Sequence, residues 1–201
     1  MTAGPIEFFF DFSSPYGYLA AHRIEEVGEA FGRKVLWRPI LLGAVFKATG
    51  QTPLVSQPLR GPYHKHDLLR TARRLKLPFC FPADFPMATI AAARAFYALE
   101  AQAPQDAKKL ALALFDAAFA QGINISTRES VLDVAEKAGL DPAAVAAGIE
   151  DGGVKQRLKD ETDGAIARNI FGSPFFVVDG EMFWGNDRIP DLKDWLATGG
   201  W

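Results

Sequence analysis

The run Ile6-Glu7-Phe8-Phe9-Phe10 passes straight into Asp11-Phe12-Ser13-Ser14-Pro15-Tyr16, and this junction constrains the fold more than any other stretch. A short apolar and aromatic run of this kind fits a strand covered on both faces, as in a parallel sheet. Ser13 and Ser14 are helix-capping residue types, and Pro15 suits a first helical position, where its missing N–H costs nothing. Ala20, Ile24 and Val27 then recur at helical spacing, which predicts a helix from Ser14 to about Val27. Standing alone, a Ser-Pro pair does no more than start a helix. At a helix N-terminus, however, unpaired N–H groups and the dipole also stabilise an anion. A cysteine at such a turn becomes a stable thiolate. Here Ser14-Pro15-Tyr16-Gly17 carries none, so a thiolate must arrive on a ligand.

The chain has 201 residues, 49% hydrophobic and 23% charged, which predicts an ordinary soluble globular protein of one or two domains. A formal net charge of −2 gives no general attraction to nucleic acid or anionic membranes. No secretory leader pattern or bilayer-length apolar run is read, so a cytoplasmic protein is expected. Cys80 is the single cysteine, which rules out an internal disulfide. Its aromatic neighbours Phe79 and Phe81 make it an inert packed residue.

Beyond the first helix, Lys34 to Leu41 reads as a second strand, completing a β-α-β unit. A helical turn follows around Ala44-Val45-Phe46-Lys47-Ala48. From Pro62 to about Ile170 the pattern is helical: Tyr63 to Leu75, Pro86 to Ala101, Gln105 to Ala120, a capped helix opening at Ser126 with Glu129 three later, one after Asp141-Pro142, and Val154 to Asn169 ended by Gly172. About six helices thus form an insertion. Strand signals return at Ser173 to Val178 and Glu181 to Trp184, joined by the hairpin dipeptide Asp179-Gly180. A last helix runs from Ile189 to Leu196, with Asn186 or Asp187 as candidate cap. This order predicts an α/β, thioredoxin-like fold: residues 1-60 and 171-201 form the thioredoxin-like domain and residues 61-170 a helical insertion domain.

Three segments together, Phe10 to Tyr16, Leu42 to Gly50 and Gly172 to Arg188, resemble the 2-hydroxychromene-2-carboxylate isomerase and kappa-class glutathione transferase family, relatives of the DsbA-like oxidoreductases. The resemblance implies a glutathione cofactor, an isomerase of aromatic degradation and a homodimer. Ser14 would match the catalytic serine, its hydroxyl beside the glutathione sulfur, with Pro15 and Tyr16 in the same cofactor site. Ser173 before a cis Pro174 would pair with the cysteinyl amide groups. Asn186 and Asp187 match an element that grips the γ-glutamyl end, and Gln51 stands where relatives carry Asn. Lys47, Arg60 and Tyr63 would serve the substrate, a small aromatic carboxylate.

Other polar groups have plainer readings. His64-x-His66 is not a metal pair, because residues two apart diverge on a helix. His22 reads as a packed or surface residue, and Arg70, Arg73, Arg74 and Lys76 as a solvated basic face. A kappa-type transferase or peroxidase is the alternative activity, and a non-catalytic thioredoxin-like binding module a third possibility.

Overall fold

The structure is a computed structural model and describes residues 4–201; residues 1–3 of the first predicted segment lie outside it. A four-stranded mixed sheet has the order β2-β1-β3-β4, with β1 Ile6–Phe10, β2 Val35–Pro39, β3 Phe175–Val178 and β4 Glu181–Trp184. β1 runs parallel to β2 and antiparallel to β3, and β3 and β4 form an antiparallel hairpin. Helix α1 (Pro15–Ala30) makes the crossover between the parallel strands. Asp179 and Gly180 both have positive φ, 52° and 90°, the backbone that a tight two-residue hairpin requires.

Alternation along β1 divides the interior. Phe8 and Phe10 face the larger core with α1, Trp37 and Phe176, whereas Phe9 joins a smaller cluster with Ile40, Val45, Ala165 and Ile170. Between β2 and β3 come α2 (Leu42–Thr49), α3 (Arg60–Leu75), α4 (Ile90–Glu100), α5 (Pro104–Phe119), α6 (Arg128–Lys137), α7 (Pro142–Glu150) and α8 (Gly152–Ala167); α9 (Ile189–Thr198) ends the fold. The sheet and the inserted helices share one core: Phe10 packs within 6.1 Å of Phe96 on α4 and 5.5 Å of Phe115 on α5. No described helix is long and apolar enough to cross a membrane.

Several boundaries depart from the sequence reading. The second strand is shorter than Lys34 to Leu41, because Ile40 and Leu41 leave the sheet to start α2. Helix α4 begins at Ile90 rather than Pro86, since the Thr89 hydroxyl turns inward to donate to Asp11 Oδ1 at 2.7 Å. The cap of α6 is Thr127, whose side chain accepts from Ser130 N–H, not Ser126. Helix α8 starts two residues before Val154, capped by Asp151, and Asn169 turns left-handed (φ 61°) well short of Gly172. Neither Asn186 nor Asp187 caps α9: both lie in a 3-10 turn, Asn186–Arg188, and α9 has no side-chain cap.

Candidate active site

Ser14 is 5% exposed and caps α1. Its Oγ accepts from Gly17 N–H at 3.0 Å and donates to the Ser173 carbonyl at 2.9 Å. The Ser173–Pro174 peptide is cis. Ser173 Oγ in turn accepts from Asp11 N–H at 3.0 Å, so the strand-to-helix turn and the segment before β3 lock each other. Asp11 is buried and ties three segments at once: it accepts from Ser13 N–H at 2.7 Å, Thr89 Oγ1 at 2.7 Å and Leu42 N–H at 2.7 Å. A carboxylate buried among donors of this kind holds its surroundings rigid.

Two clefts meet at this turn. One, about 250 Å³, is mainly apolar, lined by Leu42, Phe46, Leu54, Leu68, Phe85 and Phe171 besides Ser14. Gln51, Arg60, Pro15 and Tyr16 also line it. The other, about 750 Å³, is charged: Asp67, Arg70, Arg74, Asp187 and Arg188 surround it, together with Tyr63, Pro174 and Asn186. Tyr16, Leu54, His64, Ser173 and Trp184 border both. Gly172 is required here by close approach, for a Cβ would run into the Trp184 indole. Gly185, at φ 112°, lets the chain turn so that the Asp187 carboxylate lies against it.

The shared wall carries a polar chain. The Tyr16 hydroxyl donates to Asp67 Oδ2 at 2.8 Å and lies 3.2 Å from His64 Nδ1. Asp67 also accepts from Arg70 Nε at 2.8 Å, and Arg70 donates to the Tyr63 hydroxyl at 2.9 Å. Burial first, and then the bond to Asp67, push the Tyr16 phenol far above its ordinary value, so it is a neutral donor. On the charged side, Arg23 donates to Asn186 Oδ1 at 2.9 Å. That bond fixes the amide so that its NH2 is the free end.

The structure brings together Ser14, Pro15, Tyr16, Gln51, Arg60, Tyr63, Ser173, Pro174, Asn186 and Asp187 around the two clefts. Lys47 is the exception: it is exposed on α2 and is not among the described residues lining either cleft. Arg70 and Arg74 belong to the cleft wall, not to a purely solvated face. His22 pairs with Asp116 at 2.9 Å, a packing contact. Sequence reasoning missed His64 and Asp67 as partners of Tyr16. One signal was available, since 64, 67 and 70 share a helix face, but nothing local links them to Tyr16.

A β-α-β…β-β-α sheet with a helix N-terminus facing a cis-proline defines the thioredoxin class, here with the Ser14 hydroxyl capping that helix. The chain belongs to the DsbA-like thioredoxin domain family, which matches residues 5–197, and within it to the group of 2-hydroxychromene-2-carboxylate isomerases and kappa-class glutathione transferases. It is 30% identical to a 2-hydroxychromene-2-carboxylate isomerase of Pseudomonas putida over 92% of this chain and 90% of that one. It is also 30% identical to the human glutathione S-transferase kappa 1, over 96% of this chain and 90% of that protein. A solved 2-hydroxychromene-2-carboxylate isomerase superposes with a TM-score of 0.85 at 30% identity, covering 96% of this chain and 94% of the other. These relatives are enzymes, and so is this family member.

Proposed function

We propose that this chain is a glutathione-dependent isomerase interconverting 2-hydroxychromene-2-carboxylate and trans-o-hydroxybenzylidenepyruvate in aromatic degradation. The observation that carries this reading is a buried, helix-capping serine hydroxyl that lines the apolar cleft and donates to the carbonyl of Ser173, a residue bordering both the apolar and the charged cleft. When bound, glutathione would supply a nucleophilic thiolate for reversible addition to the conjugated substrate, the chemistry that lets a double bond change geometry without net redox change.

The residues present fit that ligand. Among the described residues, Ser173 N–H has no hydrogen-bond partner, which leaves it to pair with the cysteinyl unit. The Asp187 carboxylate is 74% exposed and available to an ammonium group. The oriented Asn186 amide is available to a carboxylate, and Gln51 and the Pro15–Tyr16 backbone complete the cofactor side. Ser14 stabilises a thiolate by turning its proton from the Ser173 carbonyl toward the sulfur, while the α1 dipole lowers the thiol pKa. The apolar cleft takes the aromatic ring system, with Arg60 and Tyr63 for the substrate's polar groups. The insertion domain over residues 61-170 supplies Leu68 from α3, and Phe85 and Pro86 from the segment before α4, to close that cleft. The same reading includes a cytoplasmic homodimer.

A kappa-type transferase or peroxidase is the second reading, favoured by one observation: Lys47, expected beside the substrate carboxylate, lies outside the cleft lining. Two assays separate the readings: conversion of the chromene carboxylate, and conjugation of glutathione to a generic aryl halide. Conversion is expected. Conjugation alone sinks the isomerase in favour of the transferase. Absence of glutathione binding by calorimetry leaves only a binding module.

A further inference from the structure

We propose that His64 is the acid–base catalyst of the ring-opening step, an inference that rests on the isomerase reading. The Tyr16 hydroxyl has one proton, and Asp67 Oδ2 takes it at 2.8 Å. The oxygen therefore presents a lone pair to His64 Nδ1 at 3.2 Å, so Nδ1 carries the hydrogen and donates. The tautomer follows: Nε2 is the basic nitrogen, and among the described residues it has no hydrogen-bond partner. His64 lines the apolar cleft beside Ser14. An imidazole of a cleft-lining residue, held through one nitrogen by a tyrosine that is itself bonded to a carboxylate, with the other nitrogen unpartnered among the described residues, has the arrangement of an oriented general base.

The reaction supplies the proton such a group would move. Opening the cyclic hemiketal breaks the O–H bond of its hydroxyl, and that oxygen becomes the new ketone carbonyl. The C–O bond to the aromatic oxygen breaks, and that oxygen gains a proton to become a phenol. Nε2 accepts the first proton and returns it to the second oxygen, so atoms and electrons balance with no redox partner. Ring closure runs the same path backward. Histidine suits the task because one ring nitrogen can take up and give back a proton while the other keeps its N–H bond to an orienting group. The charged and titratable groups around it are Tyr63, Arg60 and Asp67 on α3, Tyr16 on α1, and across the cleft Asp187, whose charge reaches Tyr16.

The experiment is the pH–rate profile of His64→Gln with 2-hydroxychromene-2-carboxylate and glutathione, beside glutathione calorimetry and thermal melting. The variant is expected to lose roughly 10²-fold in kcat, with KM and glutathione affinity kept. The acidic limb of the profile should disappear with the imidazole, and added imidazole should restore part of the rate in His64→Ala. A folded His64→Gln with wild-type kcat and an unchanged acidic limb overturns the proposal alone. His64→Asn repeats the measurement should the glutamine variant fail to fold. A wild-type protein that binds glutathione but converts no chromene carboxylate overturns the isomerase reading and this inference with it.

Discussion

The two clefts on either side of Ser173 are built from opposite materials. The smaller is walled by leucine and phenylalanine side chains from α2, α3 and the segments before α4 and β3. The larger is walled by arginines and aspartates from α3 and the 3-10 turn before α9. An apolar wall rewards loss of water from a ring, whereas a charged wall rewards a zwitterion that brings its own partners. A site with both faces is suited to two ligand chemistries at once, and Ser14 lines the apolar face while its hydroxyl bonds Ser173 on the shared wall. The proposed chemistry, which needs a charged cofactor and an apolar substrate, would therefore fall at the shared wall.

The sharpest way to break this division is Ser14→Ala. Turnover should fall by roughly 10²-fold or more, the scale of one lost charge-stabilising donor. Glutathione affinity should hold, and the bound thiol should ionise at higher pH, as read from thiolate absorbance. An unshifted titration would show that the hydroxyl only caps the helix.

Asp187→Ala tests the charged side alone. A charge-assisted bond is worth about 1.5–3 kcal/mol, so glutathione should bind roughly ten- to a hundredfold more weakly. Because Asp187 makes no capping hydrogen bond to α9, the melting temperature should stay put. Reaction with cysteine methyl ester, which lacks the γ-glutamyl end, should not notice the change. Equal losses for both thiols would mean the two clefts are not separate in function. Arg23→Met is a subtler probe, since Arg23 orients Asn186 and does not itself line the clefts among the described residues. Calorimetry should register a loss of about 1 kcal/mol in glutathione affinity, one hydrogen bond's worth of lost orientation. No change would mean Asn186 holds its amide unaided.

Much of this arrangement was legible because it is written in local chemistry. The aromatic run of β1 ends at a polar residue, Asp179-Gly180 demands positive φ, and Ser14-Pro15 starts a helix whatever surrounds it. What escaped was set by distant partners. Thr89 leaves its helix to satisfy Asp11, 78 residues away, and Tyr16 meets His64 across 48 residues. Capping patterns also overlap in sequence: Ser126 and Thr127 are equally plausible until backbone geometry chooses Thr127. Lys47 shows the converse: the sequence located its helix, but the substrate role implied by resemblance does not match an exposed residue outside both cleft linings.

The smallest effect belongs to a region remote from both clefts and serves as their control. Glu7 accepts from Arg168 and pairs with Arg38 at 2.9 Å, with its side chain 17% exposed. The Arg168 hydrogen bond, against some opposing burial, holds the Glu7 carboxyl below its ordinary value. A depressed folded-state pKa gives stability that is fully present above the unfolded value of 4.5 and lost as pH falls through the folded one. Glu7→Gln should therefore cost about 1 kcal/mol at neutral pH, and the deficit should shrink below pH ~4. Denaturant midpoints at pH 7 and pH 3 measure both. Glutathione affinity and kcat should be unchanged, because Glu7 lies on the β1 face opposite Phe8 and Phe10 and lines neither cleft among the described residues. A fall in kcat would mean the sheet's second face is coupled to Ser14, and the separation of scaffold from site would have to be redrawn.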